Sequence, residues 1–529
     1  MTPIDWPTSD LLARRAKTTP DRLALVDADA DERWSYRELN REVDELAHGL
    51  DEIDADRLAL LLETGPGFVR TLFAAMRTRT TVVPLSTRER VHELDTKCRR
   101  ADVDAVVCEP STTYTADELP VGSVYTLGET TDTLGGSETT DTPGSDERLG
   151  NHNGAVIPLP QPSGHGTREP TPLDEDWTQL IGFTSGTSGE PKAVRLTLGN
   201  LVASATASAF RLGVDRDDRW LVTLPMYHMG GLAPVVRTTV YGTTLVTRRT
   251  FEPESTARTI SDHDVTGLSL VPTMLRRLLD DDWNPPARLR FVLIGGAPAR
   301  PALLERSLAA GVPVFPTYGT TETASQVATA TPAQVRTNPE SVGQPLFGTE
   351  VTILESGKGT GHTSPRECEP GESGEIVVSG PTVMAGYLDD EQTAAVFGEY
   401  GFHTGDLGRL DEDGFLTVTG RVSDRIVTGG ENVDPAEVRQ VLTAHPAVEA
   451  AAVVGLPDLE WSERVGAVVV PVDQDEAPPR KALDRHCAER LAGFKRPRTM
   501  VVADELPLTA SGTVDRAAAR ELLETATDS

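Results

Sequence analysis

Lysine is scarce in this chain. It stands only at positions 17, 97, 192, 358, 481 and 495, and arginine supplies nearly all the other positive charge. Fifty lysines and arginines face 81 aspartates and glutamates, for a formal net charge of -31 over 529 residues. The acids are scattered, without a single acidic tail. Such a surface repels polyanions and excludes nucleic acid as a partner. It also fits a halophilic cytoplasm, because at 1 M salt the screening length is about 3 Å and carboxylate repulsion is largely suppressed. An ordinary acidic protein is the plainer alternative.

Cysteine is sparse too. Cys98, Cys108, Cys368 and Cys487 show no C-x-x-C and no Cys/His ligand spacing. A structural zinc site or a disulfide framework is thereby disfavoured, and the thiols read as small hydrophobes. Long apolar runs are missing, so nothing matches a bilayer span of about 20 residues. The opening MTPIDWPTSDLLARRAKTTPDR carries charges where a signal peptide needs an unbroken apolar region. These absences point to a cytoplasmic protein without membrane insertion. Monomer and homodimer are both open.

The length suggests about three or four folding units at roughly 150 residues each. In 35-SYRELNREVDELAHGLDEI-53, Leu39, Val43, Leu46 and Leu50 fall on one helical stripe. Strand-like runs at 57–62, 80–85 and 104–108 alternate with helical segments. That alternation predicts an α/β architecture with largely parallel sheets. The later runs 219-RWLVTLP-225 and 289-LRFVLIGG-296 end in turn formers, and loops after strand C-termini are where ligands bind in such sheets. From 128 to 175 little but AVIPL can build a core, which reads as a mobile surface excursion. A smaller unit follows 421, with strands at 448–456 and 465–472 and a helix around 481–494.

The stretch 183-FTSGTSGEPKAV-194 crowds hydroxyls and glycines ahead of Lys192, a composition suited to gripping phosphate. It is not a Walker loop, because Pro191 precedes the lysine and Ala193 follows it. Six further segments stand in order along the chain: LPMYHMGGL from 224, IGGAPA from 294, TYGTTETASQ from 317, GFHTGDLGRLDEDGFLTVTGRVSD from 401, VTGGENVDPAEV from 427 and PLTASGTVDR from 507. Together with the first, this series resembles the acyl-adenylate-forming (AMP-binding) superfamily of acyl-CoA synthetases, luciferases and adenylation domains.

The resemblance implies a large N-terminal adenylating domain with stacked sheets and helices, residues 1–422, and a small mobile α+β domain, 423–529. It implies two steps. A carboxylate attacks the α-phosphate of ATP, and a thiol such as that of coenzyme A then displaces AMP. Phosphoryl transfer depends on positioning and charge neutralisation, so donors and a metal should dominate the site. Thr184, Ser185, Gly186, Thr187, Ser188 and Lys192 match the loop that steadies the β- and γ-phosphates. Within 318–322, Tyr318 resembles the ring beside adenine, Gly319 and Thr320 complete the turn, Thr321 matches the phosphate-contacting threonine and Glu322 the Mg2+ ligand. Gly296, Ala297 and Pro298 match the adenine-lining segment. Asp406 resembles the carboxylate that accepts the ribose hydroxyls, Arg421 its cationic partner and Ser423 the hinge. Gly429 and Gly430 resemble the turn that walls the pantetheine tunnel, where glycine permits close backbone approach.

One departure stands out. The family pattern carries lysine after Ser-Gly in the last motif, where this chain has Thr513. A charge about 4 Å from the reacting group is worth up to roughly 4 kcal/mol at an effective dielectric near 20, so its loss costs about a thousandfold. Three readings are open: Arg516, Lys495 or Arg496 takes the role, high salt changes the requirement, or the chain is an adenylate-binding non-catalytic protein. PMYHMGGL, YGTTETASQ and 341-SVGQPLFG-348 are most similar to the menaquinone-pathway 2-succinylbenzoate–CoA ligases. Such a substrate keeps a second carboxylate, and an unpaired buried charge is expensive. His228, Ser325 and Gln326 suit a polar pocket end, with Arg237 as counter-charge. A packed neutral role for His228, and second-layer roles for Ser325 and Gln326 that orient Glu322, are the bland readings. Another aryl- or medium-chain acyl-CoA synthetase, or a ligase loading a carrier protein, is the rival within enzymes. If the acidic surface is adapted to brine, lowering KCl from molar to millimolar concentration should lower the melting temperature; an unchanged melt refutes the adaptation.

Overall fold

A computed structural model of the chain describes residues 10–53, 55–127, 156–159, 172–185, 190–355, 366–424, 426–428, 431–458, 461–473, 478–508 and 514–526. Two compact units account for these residues. One contains 1–350 and 378–397, and the other 351–377 and 398–529.

The first unit holds two large sheets. In the nine-stranded sheet, Val314–Tyr318, Phe291–Ile294, Gly267–Leu270, Arg219–Val222, Thr244–Thr247 and Leu23–Asp27 run parallel in that spatial order. Antiparallel strands close both edges. Val26, Leu221, Val246, Leu268, Val292 and Val314 pack into one core with the leucines of Pro272–Asp280. These strands are short apolar runs buried throughout, as a parallel sheet covered on both faces requires. The eight-stranded sheet runs parallel from Thr178–Ser185 through Thr81–Pro84, Arg57–Leu61 and Ala105–Cys108 to Ser123–Thr126. Its other end turns antiparallel, where Pro191–Thr197 pairs with Thr178–Ser185 and then with Gly386–Tyr387.

The expected helix at 35–53 is the helix Tyr36–Asp51, opened by a Ser35/Glu38 capping box and burying Leu39, Val43 and Leu50. Leu46 is only half-buried, and Ala47 takes the place on the buried face. Most of the 128–175 excursion lies outside the described residues. The apolar exception inside it does form structure: Ile157–Pro158 adds a parallel edge strand beside Ser123–Thr126, and Leu159 is buried. Cys98, Cys108 and Cys487 are free and buried, as small hydrophobes should be.

In the second unit, Val448–Asp458 and Ser462–Pro471 form a long antiparallel pair, joined in parallel by Thr499–Val502. Both faces of this sheet are covered. Val438, Leu442, Leu483 and Cys487 of two helices pack on one, and Ala519 and Leu523 of the last helix on the other. The hairpin Gly401–Leu410/Leu416–Arg421 belongs to this unit as well. The compact units therefore divide earlier than the boundary expected at 422, because that hairpin shares a sheet with Glu350–Leu354 and Gly374–Ser379. Among the described residues, no helix is long and apolar enough to cross a membrane.

Candidate active site

The antiparallel pair Thr178–Ser185/Pro191–Thr197 places Thr184 opposite Lys192 and Ser185 opposite Pro191. The hydroxyl-rich turn between them therefore leaves and re-enters the sheet at adjacent positions. Gly186, Thr187 and Ser188 lie outside the described residues, and Ser185 is described by its backbone alone. Thr184 Oγ1 donates to Glu322 Oε1 at 3.2 Å, which ties the base of the turn to the expected metal carboxylate. Gly182 permits this approach, since a Cβ there would lie 3.0 Å from the Thr321 methyl.

Glu322 sits in the single turn Thr321–Thr323, just beyond the strand Val314–Tyr318. Thr320 N donates to Thr323 Oγ1 at 3.0 Å and closes the turn. Gly319 is required there, because a Cβ would fall 1.5 Å from the Ser325 carbonyl oxygen. The chain then passes through the left-handed region at Ala324 (φ 50°) and Ser325 (φ 117°), conformations unusual for residues other than glycine. Tyr387, which sequence reasoning missed, completes the cluster. Its hydroxyl donates to the same Glu322 Oε1 at 3.2 Å, and Lys192 Nζ lies 5.0 Å from its ring centroid. With only eight tyrosines in the chain, one buried just after Gly386 was the available signal.

Beyond the strained turn lies a buried cation. Arg237, 2% exposed, donates to Ser325 Oγ at 3.2 Å and rests on the Trp220 ring, 5.5 Å from its centroid. Its Nε is buried without a hydrogen-bond partner, and no carboxylate pairs with it among the described residues. Burial pushes the guanidinium down to about 10, so it stays charged at neutral pH. Gln326 is held by Thr329 at 2.8 Å, and its Oε1 is buried and unpaired. Met229–Tyr241 is the helix that carries Arg237, and His228 is its N-cap residue. His228 lines a small cavity with Phe183, Leu180, Leu232 and Thr321. Burial, and then the charges of Lys97 and Arg88, hold its imidazole below the usual value of 6.5.

Gly296, with φ 77°, Ala297 and Pro298 follow the strand Phe291–Ile294. Tyr318 ends the neighbouring strand. The second unit holds its own share. Asp406 and Arg421 are cross-strand partners, with Nε to Oδ1 at 3.0 Å. Ser423 lies in the turn Val422–Asp424, and its side chain is not among those described. Asp424 pairs with Arg516. Lys495 is held by both oxygens of Glu437, at 2.6 and 2.8 Å, and Arg496 donates to the carbonyls of Leu491 and Ala488. Gly429, Gly430 and Thr513 lie outside the described residues.

Residues 12–388 match the family of AMP-binding enzymes, and residues 437–513 match the AMP-binding enzyme C-terminal domain. The chain belongs to the AMP-binding enzyme family. A 2-succinylbenzoate–CoA ligase of Bacillus pumilus is 36% identical over 96% of this chain and 96% of its own length. The o-succinylbenzoate CoA synthetase of Bacillus subtilis, solved with its acyl-adenylate intermediate, superposes with a TM-score of 0.81 at 32% identity, covering 96% of this chain and 97% of that one. An ATP-bound MatB from Rhodopseudomonas palustris gives a TM-score of 0.82 at 27% identity, covering 99% of each. The fold is thus common to enzymes of different names.

The lowered imidazole sets a sign. An unfolded histidine takes its proton near 6.5 and the folded one only at lower pH, so His228 contributes stability above about pH 6.5 that is lost as pH falls through the lowered value. Relative to His228→Asn, the wild type should lose melting temperature on acidification from about pH 7.5 to 5.5. Parallel melts would refute a neutral buried imidazole.

Proposed function

We propose that the chain is an AMP-forming acid–CoA ligase that converts 2-succinylbenzoate, ATP and coenzyme A into 2-succinylbenzoyl-CoA, AMP and diphosphate, a step of menaquinone biosynthesis. The observation that carries the choice of acid is Arg237. A buried guanidinium without a carboxylate is costly, and the second carboxylate of this substrate supplies the missing counter-charge. The hydroxyl of Ser325 accepts from it at 3.2 Å.

In the first step a substrate carboxylate oxygen bonds to the α-phosphorus of ATP and diphosphate leaves. Lys192, Thr184 and Thr321 hold the phosphates, and Glu322 holds magnesium. The donor set fits that ion: one carboxylate among hydroxyls, with no group of three or more His, Cys, Asp or Glu able to hold a metal among the described residues. Glu322 would be its protein ligand, and the bound ion would supply neutralisation of phosphate charge. Asp406 accepts from the ribose hydroxyls, oriented by Arg421 at 3.0 Å. In the second step the thiol sulfur of coenzyme A bonds to the acyl carbon and AMP leaves, after rotation about Ser423. His228, neutral in its apolar cavity, closes the pocket without adding charge. Lys495 and Arg516 are each bound to an acid and Arg496 to two backbone carbonyls, so whichever replaces the usual lysine at Thr513 must leave its present partner. The chain acts in the cytoplasm, at high salt.

Coenzyme A brings several phosphates to a chain of net charge -31, and the unit-two segment 480-RKALDRHCAERLAGFKRPR-498 sets seven lysines and arginines against two acids. Arg485 lines a depression with Arg496 and Pro497, and Arg498 lies 4.5 Å from the Trp461 ring centroid. Arg485 and Arg498 have no carboxylate partner among the described residues. This cluster suits the coenzyme's phosphates.

Diphosphate release, followed across a panel of carboxylic acids in high KCl with coenzyme A, tests the assignment. Release with 2-succinylbenzoate is expected; release with fatty acids alone points to a different synthetase, and none with any acid to a non-catalytic binder. Arg237→Met should raise KM for 2-succinylbenzoate at least about tenfold while sparing that for ATP, because it removes a buried charge pairing. Arg485→Ala combined with Arg498→Ala should raise KM for coenzyme A and leave diphosphate release intact.

A further inference from the structure

Lys192 and Glu322 are opposite charges within one cluster, yet they form no ion pair; the Tyr387 ring meets one and its hydroxyl the other. We propose that Tyr387 is a positioning residue for adenylation, a spacer that keeps the Lys192 ammonium from collapsing onto Glu322 and aims that carboxylate at the cation that accompanies ATP. The inference rests on the ATP-dependent ligase reading and adds to it a residue that neither the motifs nor the chemistry had assigned.

A lysine on a flexible stem beside an unshielded carboxylate would pair with it, and each charge would then be unavailable to phosphate or metal. The aromatic face offers the ammonium a weaker resting place, from which it can leave when phosphate arrives. The hydroxyls of Tyr387 and Thr184 both donate to Glu322 Oε1. Oε2 accepts no hydrogen bond among the described residues and is not sealed from solvent. One carboxylate oxygen is therefore anchored and the other is left for a ligand.

The backbone is built to hold the ring there. Tyr387 is 3% exposed and pairs with Val194, two residues beyond Lys192 on the same strand. Its N–H donates to Thr393 Oγ1 at 2.9 Å, and Thr393 is fixed by the short helix Asp390–Ala394 that Asp389 caps. Gly386 takes φ 124°, and a Cβ there would lie 2.8 Å from the Thr393 methyl. Met384 N donates to the Glu322 carbonyl at 2.8 Å, so the same loop also grips the backbone of the carboxylate residue. Burial, reinforced by the Glu322 charge, drives the phenol above its ordinary pKa, so the hydroxyl remains a donor.

Calorimetric titration of the full chain with ATP, with and without Mg2+, separates the two contacts. Tyr387→Phe keeps the spacer and should bind ATP alone as the wild type does, while losing about tenfold of the tightening that Mg2+ gives, as expected for one hydrogen bond to a carboxylate. Tyr387→Leu should weaken ATP binding in both conditions. Thioester formation from a supplied acyl-adenylate should be unchanged in both variants. A buried tyrosine with a merely structural role would lower the melting temperature of Tyr387→Phe without changing its Mg2+ dependence, and that result overturns the proposal. Should Tyr387→Leu fail to fold, Tyr387→Phe decides alone. Wild-type chain that binds no ATP overturns the ligase reading itself, whereas normal wild-type binding with an unaltered Mg2+ dependence in Tyr387→Phe overturns only the positioning role of Tyr387.

Discussion

The antiparallel pairing of Thr178–Ser185 with Pro191–Thr197 is the constraint on which the site depends. It anchors both ends of the hydroxyl-rich turn and so fixes where any phosphate gripped by that turn can lie. One strand carries Thr184 to Glu322, and the other carries Lys192 to the face of Tyr387. Glu322 and Tyr387 lie far apart in sequence and come from separate loops, yet each reports to this hairpin. The parallel sheets supply the rigid frame, and the irregular turns at their ends supply the chemistry.

Charge is handled locally in a chain with so large an excess of acid. Cations are mostly committed to carboxylates or carbonyls, as Lys495 is to Glu437 and Arg421 to Asp406. Arg237 departs from this habit. It is buried against Trp220 and Ser325, with no acid paired to it among the described residues. The succinylbenzoate synthetase and MatB structures resemble this chain almost equally in backbone shape. The choice of acid that we propose rests instead on the Arg237 side chain and the Ser325 hydroxyl to which it donates.

Much of the architecture was legible in residue order. Runs such as 104–108 and 448–456 became strands because their apolar residues had no polar face to show, and the leucine and valine spacing within 35–53 marked the helix Tyr36–Asp51. Thr184, Lys192, Thr321 and Glu322 were legible through their motifs, and the fold brings them together. Tyr387 was not, because its role comes from the partners it meets across the sheet and not from its neighbours in sequence. The unit boundary was also obscured. Motif spacing marks Arg421 and Ser423 as a junction, whereas sheet continuity draws the hairpin before them into the second unit.

Gly319 and Ser325 face each other so closely that no side chain fits at one while the other keeps its backbone path. The two positions are in effect a single mutable element. Any change that moves the carbonyl of residue 325 must be matched at 319. Position 319 should therefore accept a side chain only together with a rebuilt turn at 325.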